Sequence, residues 1–133
     1  MADPKIIHAY RHLYRGLLHA VQFSKPARYT ARNQLRRAFR EEGAKYDARG
    51  IARTIRFLDA ATRERGPEHR VLKNLIFIAW SRYDDSTGWK HTQLQQRTKE
   101  NRPALEDHVE KTAYNHYDMT IAMLNKTMGL CLR

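Results

Sequence analysis

Ile6, Tyr10, Leu13, Tyr14, Leu17, Leu18 and Val21 recur at spacings of three and four, which holds them on one face of a helix. Asp3-Pro4 supplies the start: an aspartate accepts from first-turn amides, and proline at the first helical position loses no hydrogen bond. Ser24-Lys25-Pro26 ends it, because the residue before a proline is pushed out of the helical region. A second helix is predicted from near Thr30, read as its cap, with Leu35, Ala38 and Phe39 facing inward and Gly43 as the stop. A third, capped by Asp47, aligns Ile51, Ile55, Leu58 and Ala61 and ends at Gly66-Pro67, where the proline can begin a fourth.

The fourth helix is expected to run to about Tyr83. Its Val71, Leu72, Leu75, Ile76, Phe77, Ile78, Ala79 and Trp80 cover more than one face, as in a helix central to the fold or completed by a partner. Asp84 to Arg102 is polar and aperiodic, so it reads as a functional loop or a spacer, with Trp89 unassigned inside it. From Pro103 a last helix aligns Leu105, Val109, Ala113, Tyr117, Ile121, Leu124 and Met128. No alternating strand pattern survives anywhere. The fold class is therefore all-α: a three-helix bundle over residues 1–66, then a helical extension over 67–133 with a polar loop at about 84–102.

Composition adds a partner class. The 133 residues are 41% hydrophobic, enough for a core, and carry a formal charge of +11 that points to an acidic partner. Residues 1–66 hold a net +9 of that charge and residues 67–133 only +2, so the halves are expected to do different jobs. From Pro4 to Arg40 there are nine Lys or Arg and no acidic residue, the balance of a mitochondrial targeting region. The longest apolar run, LIFIAW, is far short of the ~20 residues of a membrane span. The single cysteine, Cys131, reads as a small apolar residue of the last helix in a reducing compartment. No secretory signal is expected.

Catalytic chemistry has no visible seat: there is no phosphate loop, nucleophile elbow or HExxH pattern. His8 and His12 have the spacing of two metal ligands, with His19 two turns on, but no cysteine or carboxylate stands near enough to complete a set. No metal and no enzyme activity are expected. Asp84-Asp85 reads as a solvated pair. The remaining constellation is a stripe of Arg32, Arg36 and Arg40 with Arg37 beside it, a solvated face, a phosphate contact or a contact to an acidic protein.

LYRGLL at Leu13 to Leu18, a proline-marked turn, and LRRAFRE at Leu35 to Glu41 together resemble the LYR-motif (complex 1 LYR-like) family of small mitochondrial three-helix proteins. The resemblance covers residues 5 to about 66. It implies binding of the mitochondrial acyl carrier protein, whose acyl-4'-phosphopantetheine enters the bundle, and no cofactor of the chain's own. It further implies that Tyr14 and Arg15 meet the phosphopantetheine at the bundle mouth and that Arg36, Arg37 and Arg40 meet acidic carrier residues. Leu13, Leu17, Leu35, Phe39, Ile55 and Leu58 would line the acyl tunnel.

Arg28 to Thr30 and Phe57-Leu58 are most similar to a small family member of late mitochondrial large-ribosomal-subunit precursors, docked through a ribosome-silencing-type factor. That implies a matrix adaptor in mitochondrial large-subunit assembly. Residues 67–133 depart from this pattern and could bind ribosomal RNA or protein, or a respiratory-complex subunit. Two alternatives stay open: an LYR accessory subunit or assembly factor of a respiratory complex or iron-sulfur pathway, and a basic helical RNA-binding module whose tripeptide is coincidental.

Overall fold

The computed structural model describes residues 3–84 and 104–133, and every regular element among them is helical. Four helices follow in order, α1 (Pro4–Ala20), α2 (Ala27–Arg40), α3 (Ala48–Arg63) and α4 (Pro67–Ala79), and α4 widens into a π turn at Trp80–Asp84. A long helix α5 (Ala104–Met128) completes the set. Nearly all of the loop expected at 84–102, including Trp89, lies outside the described residues.

Local chemistry explains most boundaries. Asp3 caps α1 by accepting from the Lys5 amide at 3.0 Å, and Asp47 caps α3 by accepting from the Arg49 amide at 3.1 Å. Pro67 opens α4 behind Gly66. Two boundaries differ from expectation. α1 stops at Ala20, before the proline, because Gln22 turns left-handed at φ 54° and the Phe23 amide reaches back to the Leu18 carbonyl at 3.0 Å. α2 begins at Ala27, behind a cis Lys25-Pro26 bond, so Thr30 is a buried residue of its first turn rather than its cap.

α1 packs on α2 and α3, α3 on α4, and α4 on α2. The α1–α3 approach is close because residue 16 is glycine: a Cβ there would stand 3.2 Å from Leu58 Cδ1. Leu58, 2% exposed, is the most deeply buried large side chain of the core. Around it lie Leu13, Leu35, Phe57, Leu72 and Leu75, joined by Leu130 and Leu132 from beyond α5. One core therefore spans residues on both sides of position 66, and the turn there separates helices within a continuous apolar cluster. The breadth of apolar positions on α4 has a matching cause: Leu72, Leu75 and Ala79 are buried, Val71 and Ile76 pack at the core's edge, and Phe77 is left 61% exposed.

The end of α5 corrects the sequence reading of Cys131. Gly129 adopts φ 66° and the Leu130 amide donates to the Asn125 carbonyl at 3.2 Å, the six-to-one bond of a Schellman stop. Residues 130–133 leave the helix and form no regular element, so Cys131 lies outside it.

Truncating Leu58 to alanine leaves a void that helices α1 and α3 can only partly close, and is expected to cost about 2–5 kcal/mol in urea unfolding. Gln22→Gly relieves a left-handed non-glycine residue and is expected to stabilise by up to about 1 kcal/mol in the same measurement.

Candidate functional site

The Gln34-to-Arg40 side of α2 forms one wall of an open cleft of about 1060 Å³. The end of α4 supplies the floor through Leu75, Ile78 and Ala79, and α5 supplies the far wall through Tyr117, Ile121 and Asn125. Arg36, Arg37 and Arg40 all line it, joined by Arg82 from the π turn and Arg133. The helical repeat of α2 explains the first three: with Thr30, Ala31 and Leu35 turned into the core, positions 36, 37 and 40 are left exposed.

Carboxylates partner part of this cationic rim. Arg82 makes a two-pronged contact to Asp118 of α5, Nη1 to Oδ1 at 2.9 Å and Nη2 to Oδ2 at 3.1 Å, with its guanidinium 4.8 Å from the Tyr114 ring centre. This contact ties the π turn to α5. Arg133 pairs with Glu41 at the end of α2, and Arg37 donates to the Gln34 side chain at 2.9 Å. Burial raises the pKa of Tyr117 on the same wall, neighbouring Asp118 adds to the rise, and Arg82 opposes it.

Behind the cleft lies a smaller apolar cavity of about 90 Å³, walled by Leu13, Leu17, Leu35, Leu58, Leu72 and Leu75. Leu75, Ala79, Cys131, Leu132 and Arg133 line both spaces, so the segment after α5 stands between the cavity and the cleft. Two residues of that segment are buried, Leu130 at 8% and Leu132 at 7% exposure. The Cys131 amide donates to Thr54 Oγ1 at 2.9 Å, and Asn125 brackets Leu132 by donating to its carbonyl at 2.7 Å and accepting from its amide at 2.9 Å.

Of the residues expected at the site, Arg36, Arg37 and Arg40 meet on the cleft, and Leu13, Leu17, Leu35 and Leu58 meet on the cavity. The others are elsewhere. Arg15 is exposed on α1 and lines neither space. Tyr14 stacks on Tyr10 at 6.1 Å, and Tyr10 meets the Phe39 ring edge-on at 5.3 Å, so Tyr14 and Phe39 belong to an α1–α2 aromatic seam. Ile55 packs at the edge of the core. Arg32, the first member of the predicted stripe, leans onto Tyr29 instead, with its guanidinium 5.4 Å from the ring centre.

The sequence reading missed Arg82, Asn125, Leu130, Leu132 and Arg133. The signal for the last three was present as Gly129 followed by alternating Leu-Cys-Leu-Arg, a helix stop and an extended segment with its leucines two apart.

Among the described residues no group of three or more His, Cys, Asp or Glu could hold a metal ion, and His8, His12 and His19 are exposed. No described helix is long and apolar enough to cross a membrane. No protein-family model matches the chain, and no curated protein or solved structure is similar to it.

Burial raises the pKa of the Cys131 thiol, nearby Asp47 raises it further, and a hydrogen bond to Thr54 only partly opposes them. Because the thiolate is the reactive form, a raised pKa shifts alkylation to higher pH. Iodoacetamide is therefore expected to label Cys131 severalfold more slowly near pH 8 in the folded chain than in urea, as read by mass spectrometry of timed samples.

Proposed function

We propose that this chain is a non-catalytic adaptor of the LYR-motif type. It binds the mitochondrial acyl carrier protein in the matrix and acts in assembly of the mitochondrial large ribosomal subunit. One observation carries the reading: three arginines of α2, within the LRRAFRE segment that resembles the family, line a cleft backed by an apolar cavity in the same bundle. An acyl carrier protein offers the complement of both parts, an acidic surface around a phosphate and an aliphatic chain at its end. Charge complementarity steers encounter and fixes orientation, while each buried methylene contributes ~0.8 kcal/mol. Arg36, Arg37 and Arg40 are the residues assigned to the acidic surface and phosphate, and Leu13, Leu17, Leu35 and Leu58 to the acyl chain. The acyl-phosphopantetheine belongs to the partner, and the chain supplies no reacting group. Docking through a silencing-type factor of the large subunit follows from the resemblance of Arg28 to Thr30 and Phe57-Leu58. A respiratory-complex or iron-sulfur role would use the same carrier contact with a different assembly.

A second reading, a basic helical RNA-binding module, is favoured by a separate feature: Arg49, Arg53, Arg56 and Arg63 are all exposed along α3. Such a stripe suits a phosphate backbone, and binding would then fall steeply with salt.

A native mass spectrum of the tagged chain purified from mitochondria is expected to show a stoichiometric carrier with an acyl-phosphopantetheine adduct. Sucrose-gradient sedimentation is then expected to place the pair with large-subunit particles; migration with respiratory complexes would redirect the assignment, and RNA without carrier would favour the second reading. Reversing Arg36 and Arg40 to glutamate is expected to release the carrier in moderate salt. Retention at near-normal yield in that variant would rule out this cleft as the contact face.

A further inference from the structure

The cavity behind the cleft is too small for its proposed guest. At about 90 Å³ it falls well below the ~300 Å³ at the lower end of ordinary ligand pockets. The segment after α5 explains why. Leu130 and Leu132, with exposed Cys131 between them, are both buried in the core, and Leu132 lines the cavity and the cleft alike. Two isobutyl groups in a line are chemically close to a stretch of aliphatic chain, so the segment fills the place such a chain would take.

Its attachments suit displacement. It is held by a few polar contacts: at its backbone the bracket from Asn125 and the Thr54 hydroxyl on the Cys131 amide, and at its last side chain the Arg133–Glu41 pair. Of these, the ion pair lies at the surface, where such pairs contribute little. Gly129, at φ 66°, gives the pivot: it is the position where the backbone turns off the helix, and only there would a change of course leave α5 intact. The cavity and the cleft already share Leu75 and Ala79 as walls, so withdrawal of Leu132 would join them into one apolar channel beneath the arginine rim.

We infer that residues 130–133 are an intramolecular competitor for the acyl chain, a strap that occupies the bundle interior until an aliphatic guest displaces it. The inference rests on the proposed acyl-carrier reading and adds its regulation. An apparent affinity is reduced by the fraction of molecules in which the site is open, so weakening the strap's attachment raises affinity without touching the guest's own contacts.

The test uses the full chain and decanoyl-4'-phosphopantetheine, with unacylated 4'-phosphopantetheine as the control. Asn125→Ala removes both bracketing hydrogen bonds and is expected to bind the acylated probe about tenfold more tightly in calorimetry. In the unmodified chain, saturating acylated probe is expected to speed hydrogen exchange at the Cys131 and Leu132 amides while slowing it in α1 and α3. The exchange measurement needs no variant and decides the matter if Asn125→Ala fails to fold. Probe binding with both amides still protected and no gain in Asn125→Ala would make the segment an ordinary core wall, overturning the strap while leaving the acyl-binding reading in place. Equal binding of the acylated and unacylated compounds would also overturn it. Failure of either protein to bind the acylated probe would overturn the strap and the acyl-binding reading together.

Discussion

The contact between Gly16 and Leu58 is the constraint on which the rest of this structure depends. Without a Cβ at position 16 the α1 backbone lies against the Leu58 side chain, and that closeness fixes how far the two helices stand from each other. α2 and α4 then pack on the flanks of this pair and on each other. Four helices arranged in this way converge on one region, and the leucines they direct into it leave a space of about 90 Å³ that none of them fills.

The charge distribution follows from the same packing. α2 turns Thr30, Ala31 and Leu35 inward, which leaves Arg36, Arg37 and Arg40 on the cleft between α2 and α5 while Arg28 and Arg32 lie over the Tyr29 ring. Like charges spaced four apart on a helix cost a few tenths of a kcal/mol per pair, and an open aqueous cleft screens them further. The arrangement is therefore tolerated without a partner. Glu41 and Asp118 reduce the local excess by pairing with Arg133 and Arg82, and by doing so they also fasten the segment after α5 and the π turn to their neighbours. The pairs organise the cleft more than they stabilise the chain, since Asp118 and Glu41 are each about half exposed.

What could be read from the sequence divides along physical lines. Caps and stripes are local, and Asp3, Asp47, Pro67 and the three-four spacing of α1 and α3 stand where residue chemistry alone puts them. The arginines of α2 were legible for the same reason. Thr30 misled because a threonine before an apolar run suits a cap and a buried turn equally well, and the helix starts at Ala27 instead, with Pro26 at the cap position. The contact of Tyr14 and Phe39 through Tyr10 was not legible, because an aromatic ring on an apolar stripe gives no sign of which ring on another helix it will meet. The contacts of the segment after α5, unlike its helix stop at Gly129, were out of reach in another sense. Its partners Thr54 and Glu41 lie 77 and 92 residues away along the chain, and no periodicity reports a contact of that range.

Magnitudes indicate what such a strap would demand of a guest. Burying a leucine is worth about 1.5–3 kcal/mol, so the two leucines together hold the interior with roughly 3–6 kcal/mol, and each backbone hydrogen bond adds about 1 kcal/mol. A chain of about four methylenes brings only ~3 kcal/mol to the same space and would leave the strap in place. At about ten methylenes the transfer term reaches roughly 8 kcal/mol, comparable to all that the strap would forfeit, and the contacts of a phosphate or an acidic carrier surface with the α2 arginines then tip the exchange. Neither part suffices alone near this balance. A bundle closed in this way would respond to a long chain presented on an acidic carrier, and would stay shut to a short chain or to the carrier's charge without its lipid.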